Sequence, residues 1–310
     1  MIREEFKGAC GAQSARAETA EIENKNQTYV VKKDDINYPS KLLEYVSDCK
    51  TIYCRGDISL TEKSAVAVVG SRNCTNYGKA VAKEIGRKAA EYGVVLVSGL
   101  ARGIDRAAHE GALEVGGKTI AVLGCGPDIC YPSENRNLQK RIQEEGLIIS
   151  EYPDGFKAKP YTFPMRNRLI SGLSDAVAVV EAGVRSGSLI TVECAAEQGK
   201  LVYAVPGNIT SKSSAGTNKL IREAVPPLVI IDDVFLDMGI DVRCGICDMD
   251  SLGRDERKIM EVLLASGEAS FEELYHKTHI KLQEINGIIS ILEIKGLVFC
   301  EMGKVFIAKF

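Results

Sequence analysis

Residues 65–99, AVAVVGSRNCTNYGKAVAKEIGRKAAEYGVVLVSG, place two short apolar runs, AVAVV and VVLVS, on either side of a stretch with helical spacing. Each run is too short for a helix, is rich in valine and ends at a glycine, whereas GKAVAKEIGRKAAEYG repeats small and apolar residues every three or four positions. That is one strand-helix-strand unit, and runs without polar alternation belong to parallel strands buried on both faces. The same alternation continues outward through GIDRAAHEGALEVGG, KTIAVLG, SENRNLQKRIQEEG and LIIS, then through DAVAVVEA, SLITVECAAEQGK, LVYAVPG and PLVIID. Repetition on this scale predicts a doubly wound α/β domain over residues 36–235, PLVIID being its final apolar run.

The flanks differ. Residues 1–35 are polar and read as a loose arm, and INYPSKLLEYVSDCKTIYCRGD reads as a short helix and an irregular strand packed on the main domain. Residues 236–252 lack a period and read as a linker. In residues 253–310, RDERKIMEVLLASG, SFEELYHKT and KLQEINGIISILEIKG predict three helices, and LVFCEMGKVFIAKF predicts a closing hairpin. That order fits a winged helix-turn-helix.

Composition narrows the function. Within the 310 residues no apolar run approaches the ~18 needed to span a bilayer, and the start lacks the apolar core of a secretory signal, so no membrane partner and a cytoplasmic setting are expected. The ten cysteines are scattered and read as reduced thiols. With 39 basic against 42 acidic residues, a net charge of −3, the chain cannot coat nucleic acid by charge alone, so any such site is local. The absence of tryptophan and an aromatic share of 6% count against an extended base-stacking platform.

Ligands of open parallel sheets sit beyond the carboxyl ends of the strands, where helix N-termini collect positive potential. After the first strand, Gly70 permits close approach, Ser71 offers a hydroxyl and Arg72 a guanidinium fork suited to phosphate; the plain alternative is a turn with a solvated arginine. In SGLARGIDRAAHEG, Asp105 reads as a helix-start residue and His109 as a packed one. Gly124-x-Gly126 runs into Pro127 and Asp128, and no G-x-G-x-x-G is present, so no dinucleotide cofactor is expected. Lys157, Lys159, Arg166 and Arg168 gather around Tyr161, Phe163 and Asn167 in the most basic locality of the α/β region, unless it is simply a solvated loop face. Farther on, Arg185, Ser186, Gly187 and Ser188 precede a helix and suit a phosphate cradle, the alternative being an ordinary capped turn. A zinc set of Cys244, Cys247, His276 and His279 is disfavoured by its short HxxH spacing, and no nucleophile triad is legible, so neither metal nor catalytic residues are expected.

Taken together, VAVVGSRNCTNYG, SGLARGID, LGCGPDICYPSENRNL, SEYPDG, FPMRNRLISGLS, VVEAGVRSGSLIT and AVPGNI resemble the DNA-processing protein A family, also called DprA or Smf, across about residues 36–235. The resemblance implies a Rossmann-like domain that binds single-stranded DNA, as a homodimer, and that protects incoming DNA and loads the RecA recombinase during natural transformation of competent cells. It implies a mediator rather than an enzyme. Carried onto this chain, phosphate contacts fall on Gly70, Ser71 and Arg72, the basic pocket on Arg166, Asn167 and Arg168, and its glycine-rich side on Ser186, Gly187 and Ser188. A rival reading is a phosphoribohydrolase with a GGxGTxxE-like loop, but the chain has GVRSGSLITVE there, ending at Glu193. A winged-helix regulator with an α/β sensor would instead prefer duplex DNA.

Overall fold

The computed structural model describes residues 27–242, 252–295, 297–301 and 303–307, which fall into two compact units, one ending at Ile240 and one beginning at Asp241. In the first unit the strands are β1 (Tyr29–Lys32), β2 (Thr51–Gly56), β3 (Ala65–Val69), β4 (Val95–Ser98), β5 (Thr119–Leu123), β6 (Leu147–Ser150), β7 (Ala176–Val179) and β8 (Leu201–Ala204). The helices are α1 (Ser40–Tyr45), α2 (Asn76–Glu91), α3 (Ile104–Glu114), α4 (Arg136–Glu145), α5 (Thr162–Gly172), α6 (Ser188–Glu197), α7 (Ala215–Arg222) and α8 (Asp232–Asp237).

One sheet of eight strands runs in the order β1-β2-β6-β5-β4-β3-β7-β8. The six strands from β6 to β8 are parallel, and β2 and β1 add to the β6 edge antiparallel. The chain steps outward from β3 to β6 and then returns to lay β7 on the other side of β3. The strand order therefore reverses between β3 and β7, where a doubly wound sheet opens a crevice beyond its strand ends.

The two faces of the sheet alternate along each strand, and both are covered. Ala65, Ala67 and Val69 join Val177 and Val179 against Leu42, Leu169 and Val192 of α1, α5 and α6. On the opposite face Ala121, Leu123 and Ile148 pack against Leu113 of α3 and Leu138 and Ile142 of α4. Each fully buried aliphatic side chain of this kind contributes about 1.5–3 kcal/mol relative to exposure, and all five residues of β3 are buried. The doubly wound, Rossmann-like architecture read from the sequence is present.

Three details differ from the sequence reading. Tyr29–Lys32, placed in the polar arm, is an edge strand with only Val31 buried, too short and too polar to announce itself. The segment after α1 is a regular strand, β2, rather than an irregular one. PLVIID is not a strand: a single bridge joins Pro227 to Ala204, Val229 and Ile230 are largely exposed, and Asp232 already opens α8.

The second unit contains α9 (Arg254–Ser266), β9 (Glu268–Ser270), α10 (Phe271–Thr278), α11 (Leu282–Ile294) and a hairpin of β10 (Val298–Glu301) with β11 (Lys304–Ile307). Gly267, at φ 78°, ends α9, and Ser270 caps α10 by accepting from the Glu273 N–H while the Glu273 carboxylate accepts from the Ser270 N–H. Its core gathers Ile259, Leu263, Leu274, Ile285, Ile289 and Leu292 with Val305 of the hairpin. The three helices and closing hairpin expected here are present, joined by the short β9.

Candidate functional site

A cavity of about 660 Å³ opens at the switch point, between the β3–α2 turn, the start of α5 and the turn that opens α6. Gly70, Ser71 and Arg72 form one wall, Lys159 and Phe163 a second, and Ser186, Gly187 and Ser188 a third. Three segments, the first about ninety residues ahead of the second and the second about twenty ahead of the third, thus meet around one space.

The exposed Arg72 holds its guanidinium 5.0 Å from the centre of the Phe163 ring, and Phe163 lies 5.4 Å from Tyr131. The ring quadrupole attracts the cation by about 0.5–1 kcal/mol at such an exposed place, enough to orient Arg72 without neutralising it. Lys159 is arranged likewise, its Nζ 5.2 Å from the Phe156 ring centre and 5.8 Å from that of Tyr161. Among the described residues no carboxylate pairs with either cation. Tyr131, itself half exposed, was not singled out from the sequence; its place within CYPSENRNL, in the loop that follows β5, was the available signal.

The pairing of Arg166 with Arg168 in one basic pocket needs correction. Residues two apart on a helix point some 200° from each other, so α5 cannot present both to one ligand. Arg166 lines the floor of the cavity yet is only 5% exposed, and its Nη1 donates to the Gly99 carbonyl at 2.8 Å and to the Val122 carbonyl. Burial lowers its pKa to about 10, a cost that nearby Asp105 opposes. Arg166 is therefore chiefly a brace across β4 and β5. Arg168 faces away and donates from Nη2 to Glu151 at 2.8 Å, with Asp48 at 3.3 Å, and it does not line the cavity.

The remaining residues divide similarly. Asn167 Nδ2 donates to the Gly187 carbonyl at 3.0 Å and so holds the α6 turn against α5, while the Ser186 and Ser188 hydroxyls lie 2.8 Å apart. Lys157 and Arg185 are exposed and outside the cavity lining. Gly70 does serve close approach, but to protein: a Cβ there would lie 2.6 Å from Ile104 and 2.9 Å from the Glu181 carbonyl. Asp105 accepts from the Gly99 and Ala101 N–H groups, and burial raises its pKa. His109 is buried, its Nδ1 2.6 Å from Thr119 Oγ1, which donates onward to the Leu96 carbonyl; burial lowers its pKa to about 3, so the ring is neutral. Cys244 and Cys247 lie outside the described residues, among which no group of three or more ligating side chains could hold a metal ion.

The class defined by this geometry is an α/β protein with a doubly wound sheet and a switch-point crevice whose unpaired cations, Arg72 and Lys159, lie against aromatic rings. The family model for DNA recombination-mediator protein A matches residues 29–239, and the chain belongs to that family. A putative DNA processing protein DprA of Mycobacterium tuberculosis is 38% identical over 247 residues, 77% of this chain and 63% of the relative, so the chain spans somewhat less than two thirds of that protein. The DprA of Streptococcus pneumoniae is 45% identical over 201 residues, 64% of this chain and 71% of the relative. Its X-ray structure superposes with a TM-score of 0.65 at 40% identity, covering 71% of this chain and 77% of that one. A Helicobacter pylori DNA processing protein A, whose structure was described for its single-stranded DNA binding mode, superposes with a TM-score of 0.62 at 30% identity, covering 69% of this chain and 97% of that one. Among the described residues no helix is long and apolar enough to cross a membrane.

Proposed function

We propose that this protein binds single-stranded DNA in the switch-point cavity and acts as a recombination mediator in the cytoplasm: a homodimer that protects incoming strands and delivers them to a RecA recombinase in natural transformation. The observation that carries the DNA reading is the alternation of unneutralised cation and aromatic ring at the cavity mouth, Arg72 on Phe163 beside Tyr131, and Lys159 beside Tyr161. Phosphates meet the cations and hydroxyls while splayed bases find rings to stack on, an arrangement that tolerates any sequence. A duplex keeps its bases stacked inside and offers only phosphates. The DNA-binding set is Ser71, Arg72, Lys159, Phe163, Asn167, Ser186, Gly187 and Ser188, with Gly70 shaping the turn behind Ser71, Lys157 and Arg185 as flanking charges and Arg166 as the floor. The recombinase and dimer roles rest on family membership.

An enzymatic reading is less well supported, because Glu193 is exposed on α6 and does not line the cavity. The C-terminal unit, read as a winged helix, is taken as accessory: α11 offers Lys281 and Gln283 at its start but also Glu284. Competition between one oligonucleotide single-stranded and the same sequence as duplex tests the proposal. The single strand is expected to win by tenfold or more, and equal or better binding of duplex would reject it.

A further inference from the structure

In a doubly wound sheet the first strand-end turn, leading here from β3 into α2, is where a nucleotide phosphate ordinarily meets a helix N-terminus. In this chain that place is already filled. Glu181, at the end of the run DAVAVVEA, is 1% exposed and lies across the start of α2. The Thr75 N–H donates to its Oε2 at 2.8 Å and the Thr75 hydroxyl donates to its Oε1 at 2.6 Å. The same hydroxyl accepts from the Gly78 N–H at 3.2 Å, so Thr75 relays the helix's free amide to the carboxylate. Ser213 Oγ approaches Oε1 at 3.5 Å from the β8–α7 loop.

Two glycines make room for this arrangement. A Cβ on Gly78 would stand 2.6 Å from the Glu181 carboxylate, and one on Gly70 would stand 2.9 Å from the Glu181 carbonyl, which also accepts from the Ser71 N–H at 2.7 Å. A glycine that admits a ligand's phosphate in a nucleotide-binding turn here admits an internal anion.

We propose that Glu181 is a specificity-determining residue: its carboxylate occupies the phosphate subsite at the N-terminus of α2, shuts mononucleotides out of that turn and leaves the cavity's Arg72 and α6 sides for nucleic-acid phosphate. The last part rests on the DNA reading above; the occupancy of the α2 turn does not. Glu181→Ala deletes the internal anion and opens its space to an external one.

The test is thermal melting of the full chain and of Glu181→Ala in phosphate and in chloride of matched ionic strength, followed by AMP as the nucleotide probe. The variant is expected to gain more in melting temperature from phosphate over chloride than the unchanged protein does, and to bind AMP at least tenfold more tightly, because the unchanged protein offers phosphate only the Arg72 and α6 sides. Equal phosphate and AMP responses in the two proteins would overturn the proposal. Glu181→Gln keeps the size but removes the charge and one of the two acceptor oxygens, and is expected to lower the melting temperature by about 2–6 °C through the weakened helix-terminus interaction. Should Glu181→Ala not fold in chloride, recovery of the fold in phosphate supports the proposal; failure in both buffers, or a Glu181→Gln protein as stable as the unchanged one, overturns it. Single-strand binding is read separately, so its absence in the unchanged protein would reject the DNA reading without touching these outcomes.

Discussion

Two turns flank the switch point, and they are built alike but filled differently. The β3–α2 turn is closed on itself: Thr75 donates to Glu181 and accepts from the Gly78 N–H, and Gly78 leaves space for the carboxylate as Gly70 does for the Glu181 carbonyl. The turn that opens α6 carries no acid in its place. Ser186 and Ser188 share a hydrogen bond beside the cavity, and nothing stands within 4 Å of where a Gly187 Cβ would be. Positive potential at a strand end is thus necessary for an anion site but not sufficient; whether the chain itself supplies the anion decides which turn stays available. Asp105 repeats the point at a third turn, where it takes the Gly99 and Ala101 amides.

The largest expected effect concerns the brace between the turns. Replacing Arg166 with Met should cost about 3–5 kcal/mol, because it leaves the Gly99 and Val122 carbonyls without their donor and Asp105 without its nearest cation. Arg168→Met, whose partner Asp48 is exposed while Glu151 is largely but not fully buried, should cost less, about 1–3 kcal/mol. Urea unfolding of both variants measures the difference, and equal losses would mean that the two arginines play one role after all.

Next is a pair of glycines, one from each turn. Gly78→Ala drives a methyl group against the Glu181 carboxylate and should destabilise by about 1–3 kcal/mol. Gly187→Ala enters open space on a backbone already at φ −63° and should leave stability within about 0.5 kcal/mol. Melting curves for the two proteins would break the comparison if their shifts matched.

The smallest effect is expected from the C-terminal unit. Lys281→Ala with Gln283→Ala should change single-strand affinity by no more than about 0.5 kcal/mol, since α11 turns Ile285, Ile289 and Leu292 into its own core. Fluorescence anisotropy with a labelled oligonucleotide checks this, and a tenfold loss would move the main contact surface to that unit.

The strands were legible because valine-rich runs such as AVAVV can only be buried on both faces at that length, and their order with the helices fixed a parallel sheet. The strand-end position of Arg72 and of the Ser186–Ser188 turn was legible too, since such a loop is local in sequence, and both line the cavity. What escaped is what depends on tertiary placement. Arg166 and Arg168 looked like partners because they are close in sequence, yet the helix turns them apart. Glu181 looked like the end of a strand, because the helix start it serves lies about a hundred residues earlier. PLVIID had the apolar content of a strand but lies beyond the edge strand β8, with one bridge to hold it.

On the proposed function, Arg72 and its neighbours, rather than a diffuse basic surface, hold the phosphates. This is tested most directly by single-strand affinity across a salt series for the full chain and for Arg72→Ala. Three or four neutralised phosphates per subunit predict a slope of log affinity against log salt of about −2 to −3, at ~0.7 per phosphate. Arg72→Ala should weaken binding by about 1–3 kcal/mol, with a slope shallower by about 0.7 and a nearly unchanged melting temperature. A folded Arg72→Ala protein with the affinity and slope of the unchanged one would contradict the account.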